Sequence, residues 1–157
     1  MSDAKSILLI DGSDKDRRYY ADVLKTVLPH AVFFEAENGQ AGVALFRSRS
    51  IDAVILELTL PDMSGLEVLK QLAAPARLHG RPVIVLTRLS YATIMEVAKE
   101  NGANAAFIKK STSDQMLQEV VLSALNRTRS VEPVLRTSQN PKLSKEHGRR
   151  SRNVSDT

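Results

Sequence analysis

Short apolar runs alternate with longer amphipathic segments along most of this chain. The runs recur at intervals of roughly twenty to thirty residues, and several are continuous rather than alternating. Continuous apolar runs are typical of strands that are buried on both faces of a parallel sheet. The pattern predicts five such strands: Ile7–Ile10, Val32–Phe34, Ala53–Leu56, Val83–Leu86 and Ala105–Ile108.

The segments between these runs carry helix start and stop signals. Ser13 with Asp16, and Ser64 with Glu67, have the spacing of capping boxes, in which two side chains satisfy the free N–H groups of a first turn. A further helix is predicted from near Ser90 to Asn101-Gly102, because glycine readily adopts the left-handed conformation of a helix C-terminus. These signals place a helix after each of strands 1, 3 and 4.

A last helix is predicted from near Thr112. Its apolar residues recur at helical spacing, which indicates one packing face. That face comprises Met116, Leu117, Val120, Val121, Ala124 and Leu125.

Five strand–helix units in succession predict an α/β fold, a doubly wound five-stranded parallel sheet. Right-handed crossovers leave few topologies, and we expect the flavodoxin-like strand order 2-1-3-4-5.

The apolar periodicity stops after about Arg129. Residues 130–157 are rich in Ser, Asn, Pro, Lys and Arg, and they offer little apolar surface to bury. We therefore predict a domain over residues 1–129 and a disordered basic C-terminal tail over residues 130–157. The tail region also accounts for the basic charge, since residues 127–157 hold 8 of the 22 Lys and Arg but only 3 of the 18 Asp and Glu.

Composition excludes several classes of protein. The chain has no cysteine, so it has neither disulfides nor a thiolate metal site. Its N-terminus lacks the pattern of a signal peptide, and its apolar runs are too short to span a bilayer. We expect a cytoplasmic protein that does not contact membranes.

Four polar residues directly follow predicted strands: Asp11, Glu57, Thr87 and Lys109. The carboxyl ends of parallel strands meet at one edge of the sheet, so these side chains should converge there. Two carboxylates, a hydroxyl and an ammonium together would suit a phosphoryl or metal site.

Four segments, in this order and at this spacing, resemble a response-regulator receiver domain: residues 7–12, 52–65, 82–87 and 102–109. The segment around Pro61 and Gly65 is the most specific. The resemblance implies that Glu57 stands at the phosphoacceptor position, and that Asp11, Thr87 and Lys109 are retained site residues.

The chain departs from the family pattern at five positions. The resemblance implies a second acid for Mg²⁺ where Gly12 stands, and an aspartate where Glu57 stands. It also implies a small residue at Arg88, an aromatic at Ala106 and a proline at Lys110.

These departures predict a domain that does not accept phosphate and does not bind Mg²⁺. Phosphoryl transfer needs in-line geometry and charge neutralisation, and Mg²⁺ needs near-ideal octahedral oxygen ligands. We expect Glu57 to form a constitutive salt bridge with Lys109, with Arg88 as a second cation. The alternatives are residual phosphorylation and another small-molecule use of the crevice.

The tail offers a candidate ligand site. Arg149, Arg150 and Arg152 can pair with phosphates and stack on purines, and Asp156 can accept hydrogen bonds from guanine. The segment is similar to arginine-rich cyclic di-GMP motifs and to the tails of receiver-like cyclic di-GMP effectors that act on motility. An inert solubilising tail and an acidic partner remain alternatives. Specific nucleic-acid binding is disfavoured, because the tail lacks interleaved aromatics.

The sequence gives little support to an enzyme. A haloacid-dehalogenase-type site needs an acid where Ser13 stands, and a dinucleotide site needs a glycine-rich turn after strand 1. We therefore interpret the chain as a receiver-like adaptor that couples cyclic di-GMP to a signalling or motility protein. The rival interpretation is a locked interaction module with an inert or nucleic-acid-binding tail.

Overall fold

The computed structural model describes the backbone of residues 4–78 and 80–138, and the side chains of residues 4–74 and 80–127. Five parallel strands form one sheet in the order β2-β1-β3-β4-β5, which confirms the predicted topology. The strands are β1 (Ser6–Ile10), β2 (Val32–Ala36), β3 (Ala53–Leu56), β4 (Val83–Thr87) and β5 (Ala105–Ile108). The helices are α1 (Asp14–Lys25), α2 (Gly39–Ser48), α3 (Gly65–Leu78), α4 (Ile94–Glu100) and α5 (Asp114–Ser138), and a 3₁₀ turn, Lys109–Ser111, precedes α5.

The sheet is buried on both faces by two apolar clusters, as the continuous strand sequences predict. One cluster joins the strands to α2, α3 and α4, and the other joins them to α1 and α5. Successive residues of a strand point to opposite faces, so Leu8 and Ile10 belong to the first cluster while Ile7 and Leu9 belong to the second. The central strands are therefore fixed from both sides, and their carboxyl ends form a rigid edge.

The first turn of α1 begins as predicted. Ser13 is the N-cap, and its Oγ accepts a hydrogen bond from the backbone N–H of Asp16 at 3.1 Å. Only this half of the predicted capping box forms, because the Asp16 carboxylate contacts Lys109 instead. Arg17 is buried and holds the same turn in place, since it donates to the carbonyl of Asp11 at 2.6 Å and to Glu35 at 2.9 Å.

One helix start differs from the sequence prediction, since α4 begins at Ile94 rather than near Ser90. The start of α5 at Asp114 agrees with the prediction of a helix from near Thr112. The predicted end of α4 is confirmed, because Asn101 is its C-cap and Gly102 follows with φ 111°.

The packing face of α5 is narrower than predicted. Leu117, Val121, Ala124 and Leu125 are buried, whereas Met116 is 40% exposed. Consecutive helix positions are rotated by about 100°, so Met116 lies beside the buried stripe rather than within it.

In the structure α5 continues to Ser138, so it extends into the segment 130–157 that the sequence predicts to be a disordered tail. Once a helix has formed, each added residue gains a hydrogen bond without a new nucleation cost, so α5 can extend beyond its packed part. The predicted domain boundary at residue 129 therefore falls within a helix. The rest of the predicted tail, with Arg149, Arg150, Arg152 and Asp156, lies outside the described residues.

None of the helices in the described ranges is long and apolar enough to cross a membrane.

Candidate functional site

The carboxyl edge of the sheet brings together all four of the predicted strand-end residues. Asp11 follows β1, Glu57 follows β3, Thr87 ends β4 and Lys109 follows β5. Asp11, Glu57 and Thr87 are buried, and the Lys109 side chain is only 9% exposed. Their side chains form one connected network of hydrogen bonds and ion pairs, which confirms the predicted convergence.

Glu57 is the most buried charged group of this network, with 1% of its surface exposed. Its Oε1 accepts hydrogen bonds from Thr87 Oγ1 at 2.5 Å and from the Thr59 N–H at 3.0 Å. Its Oε2 accepts from the Arg88 N–H at 3.1 Å and pairs with Lys109 Nζ at 3.0 Å. Both oxygens of the carboxylate are thus occupied by groups of the protein itself.

Lys109 lies among three carboxylates. Its Nζ is 2.7 Å from Asp11 Oδ2, 2.8 Å from Asp16 Oδ2 and 3.0 Å from Glu57 Oε2. We call these four residues the Lys109 cluster. The predicted salt bridge between Glu57 and Lys109 is confirmed.

Asp16 is the member of the Lys109 cluster that the sequence analysis missed as a site residue. The capping-box spacing already explained an acid at this position, so no further role was predicted for it. Its position in the first turn of α1, directly after a strand that ends at the site, could have indicated that it lies near Lys109.

Arg88 extends from the end of β4 toward the same carboxylate. Its Nε lies 3.7 Å from Glu57 Oε2, and its side chain is 58% exposed. The predicted second cation is therefore present, but its contact is longer and more solvated than that of Lys109. An exposed ion pair of this kind contributes little to stability.

The environment of Glu57 favours its charged form. Burial alone would raise the pKa of Glu57, but hydrogen bonds from Thr87, Thr59 and Lys109 together lower it below its ordinary value of 4.5.

The environment of Lys109 also favours the charged form of its side chain. Burial would lower the pKa of Lys109, and its contacts with Asp11, Asp16 and Glu57 raise it above its ordinary value of 10.5. The ring of Tyr20, 5.8 Å from Lys109 Nζ, covers one side of the ammonium, and burial raises the pKa of Tyr20 to about 12.

The residues at this edge do not fit a magnesium ion. Asp11 Oδ1 accepts from the Ser13 N–H at 2.8 Å and Asp11 Oδ2 binds Lys109, so both of its oxygens are engaged, as are those of Glu57. Gly12 supplies no carboxylate, and the third acid at this edge, Asp16, is paired with Lys109. Lys109 Nζ lies between the acids that would otherwise bind a cation, and no metal-binding group of three His, Cys, Asp or Glu occurs in the part of the chain described by the structure.

Gly65, the first residue of α3, lies in close contact with the backbone of Glu57 and Leu58. The Gly65 N–H donates to the Leu58 carbonyl at 2.7 Å, and a Cβ atom at this position would lie 2.4 Å from Leu58 Cα and 2.5 Å from the Glu57 carbonyl oxygen. Such distances require the backbone to move. The glycine therefore permits the close approach of α3 to the end of β3.

We expect Gly65→Ala to lower the free energy of unfolding by about 1–3 kcal/mol, since backbone atoms must shift to admit the methyl group. Urea denaturation measures this. Gly12→Ala is the matched control, because its Cβ would lie 3.2 Å from Pro61 Cδ and no closer than 3.7 Å to a backbone atom, so a shift of a few tenths of an ångström admits it. Equal losses in the two variants would contradict this account of Gly65.

Comparison with known proteins agrees with the fold. The family profile of the response regulator receiver domain matches residues 7–121. Protein PilH of Pseudomonas aeruginosa is 29% identical over 114 residues, which are 73% of this chain and 93% of PilH. A chemotaxis protein CheY homolog of Campylobacter jejuni is 30% identical over 114 residues, 72% of this chain and 86% of that protein. The match to the transcriptional regulatory protein YdfI of Bacillus subtilis, 29% identical, spans 70% of this chain but only half of YdfI.

Solved structures show the same architecture. The signal receiver domain of an HD domain-containing protein from Pseudomonas fluorescens aligns with a TM-score of 0.72 at 22% identity, over 82% of this chain and 99% of that one. A CheY-like receiver domain from Methanospirillum hungatei aligns with a TM-score of 0.71 at 21% identity, over 82% and 99%. Receiver domains are signalling modules and generally not enzymes. By profile, fold and strand-end residues, this chain belongs to the response regulator receiver domain family.

Proposed function

We propose that this chain is a non-phosphorylatable, receiver-like signalling adaptor of the cytoplasm. The observation that carries the proposal is the pairing of Glu57, at the acceptor position, with the retained Lys109 and Thr87. The family resemblance counts both of these among the retained residues of the site. The site is thus satisfied internally and needs no ligand to hold it together.

Phosphoryl transfer to Glu57 is disfavoured on two grounds. Both carboxylate oxygens of Glu57 accept hydrogen bonds, and one also forms an ion pair with Lys109. Either oxygen would have to break these contacts before it could attack a phosphodonor. The glutamate side chain is also one methylene longer than aspartate, which moves the carboxylate relative to the surrounding groups. In-line transfer depends on positioning within fractions of an ångström, so both effects act against it.

Incubation with acetyl phosphate and Mg²⁺ should leave the intact mass of the protein unchanged. Calorimetry should likewise detect no sub-millimolar Mg²⁺ binding. The comparison protein is the double variant Glu57→Asp/Gly12→Asp, which we expect to regain Mg²⁺ binding once Pro61 moves to admit the new side chain. A stoichiometric phosphoryl adduct on the unmodified chain would refute the proposal.

We further propose that the C-terminal tail binds cyclic di-GMP through Arg149, Arg150 and Arg152, with Asp156 accepting from guanine. Two considerations support this. A receiver that does not take phosphate needs another input, and three arginines within four positions provide bidentate partners for the two phosphates of the ligand. The output partner would be a signalling or motility protein, and the chemotaxis name of the Campylobacter relative is in keeping with this.

Calorimetric titration of the full chain with cyclic di-GMP should show moderate, enthalpy-driven binding, the signature expected if the tail is disordered, as its composition predicts, and becomes ordered on binding. Arg150→Ala should weaken binding at least about tenfold, since one charged hydrogen-bonding contact contributes about 1.5–3 kcal/mol. Lys142→Ala, outside the arginine group, is the matched control. A peptide of residues 139–157 should retain most of the affinity, and cyclic di-AMP should bind much less well.

The alternative is a locked interaction module whose tail is inert or binds nucleic acid. The same titration distinguishes these possibilities. If a chain of residues 1–138 binds cyclic di-GMP and the tail peptide does not, the ligand belongs to the crevice and the tail proposal fails. Polyanion binding that falls steeply with salt, with no preference among cyclic dinucleotides, would indicate the nucleic-acid alternative.

A further inference from the structure

The ammonium of Lys109 has three carboxylate partners. It donates hydrogen bonds to Asp11, which follows β1, and to Asp16 on α1, and it forms an ion pair at 3.0 Å with Glu57, which follows β3. The two shorter distances are those to Asp11 and Asp16, at 2.7 and 2.8 Å. Glu57 is therefore neither the nearest partner of Lys109 nor its only anchor in this cluster.

The position of Asp16 is fixed independently of Glu57. Its backbone N–H is bound by Ser13, and the next residue, Arg17, ties the same turn to the Asp11 carbonyl and to Glu35 on β2. The Asp16 carboxylate is one-third exposed, and it reaches the ammonium from the solvent side of the cluster. Asp16 thus restores a third acid to an edge where Gly12 supplies none.

We infer that Asp16 is a positioning residue, which together with Asp11 holds Lys109 in place even when Glu57 is neutralised. This inference deepens the proposed function and rests on it. It makes the buried position of Lys109 depend on two residues, Glu57 and Asp16, rather than on Glu57 alone. The retained lysine stays bound to α1 when the side chain at position 57 changes. Loss of Glu57 alone or of Asp16 alone leaves Lys109 with two carboxylate partners and buried, whereas loss of both leaves only Asp11 and releases it.

The test measures the reactivity of Lys109 toward acetic anhydride by peptide mass spectrometry, with the exposed neighbour Lys110 as internal reference. The variants Glu57→Gln and Asp16→Asn replace each carboxylate with an amide of the same shape. Each single variant should keep Lys109 protected relative to Lys110. The double variant should raise its relative rate at least about tenfold, the factor expected for loss of a charged hydrogen bond.

The matched control is Glu57→Gln/Asp14→Asn. Asp14 lies in the same turn of α1 and carries the same charge, but it pairs with Arg17 and Arg18 rather than with Lys109. Lys109 should remain protected in this protein. The inference would be overturned if Glu57→Gln alone raised the relative acetylation rate of Lys109 about tenfold. It would also be overturned if the control variant raised that rate as much as the double variant does.

A thermodynamic measurement covers the case in which the double variant unfolds. In the unmodified chain, Asp16→Asn should lower the urea midpoint, because a partner of a buried ammonium is lost. In a Lys109→Met background the same substitution should raise the midpoint, because Asp16 then only repels two other acids. A decrease of the same size in both backgrounds would show that Asp16 does not act through Lys109. Phosphodonor assays on the same proteins test the proposed function separately, since a phosphoryl adduct does not depend on which acid holds the lysine.

Discussion

Lys109→Met should lower the free energy of unfolding by about 3–5 kcal/mol, the cost typical of removing one partner from a buried ion pair. Methionine has a similar length and no charge, so packing along the stem is retained. The loss would come from Asp11, Asp16 and Glu57, which would face one another without a cation. Two of these acids are buried, and water cannot replace the ammonium fully.

Urea denaturation at neutral pH measures this effect, and Lys110→Met provides the matched control. Lys110 is the next residue along the chain and is exposed, so its replacement should change stability by no more than about 0.5 kcal/mol. If Lys109→Met lowered the free energy of unfolding no more than Lys110→Met does, the Lys109 cluster would not stabilise this edge of the sheet.

Glu57→Leu should also cost about 3–5 kcal/mol at pH 7, because it removes one partner of a buried ion pair and leaves one buried and several partly buried donors without an acceptor. These donors are the Thr87 hydroxyl, the Thr59 and Arg88 N–H groups, and one N–H of Lys109. Glu57→Gln should lose less, since the amide retains one oxygen acceptor. The difference between the two variants separates the contribution of hydrogen bonding from that of charge.

The cost of Glu57→Leu should depend on pH in one direction. The folded protein lowers the pKa of Glu57 below its ordinary value of 4.5, so its charged form stabilises the fold above that pH. This stabilisation is lost as the pH falls through the lowered value, and the stability gap between the two proteins should then narrow. The pKa of Lys109 is raised, so its contribution is complete below 10.5 and is lost only in strong alkali. A gap that stays constant from pH 7 to acid pH would contradict the role given to the Glu57 charge.

The sheet and its order could be predicted because strand burial leaves a direct trace in the sequence. Runs such as Ile7–Ile10 and Val83–Leu86 are apolar at every position, and parallel strands joined by helices allow few arrangements. The site could be located for the same reason, since Asp11, Glu57 and Lys109 directly follow such runs. Their mutual pairing followed from opposite charges placed at one edge.

The role of Asp16, the exposure of Met116 and the extent of α5 could not be predicted, because local sequence patterns do not show how the elements pack against one another. Asp16 is a suitable first-turn residue in any helix, and only the fold brings the first turn of α1 to the sheet edge where Lys109 follows β5. Met116 has the residue type of a core position, yet the orientation of α5 leaves it 40% exposed. The extent of α5 was underestimated because the polar composition of the whole tail concealed a segment that continues a helix already formed.

The interdependence of Glu57 and Lys109 also has an evolutionary consequence. Aspartate at position 57 would shorten the side chain that Thr87, Arg88 and Lys109 contact. An acid at position 12 would also crowd Pro61, whose Cδ lies 3.2 Å from the place of the new Cβ. We expect each of these changes alone to lower the free energy of unfolding. Under the proposed function, selection for folding would therefore disfavour the single substitutions that lead toward a phosphate-accepting site.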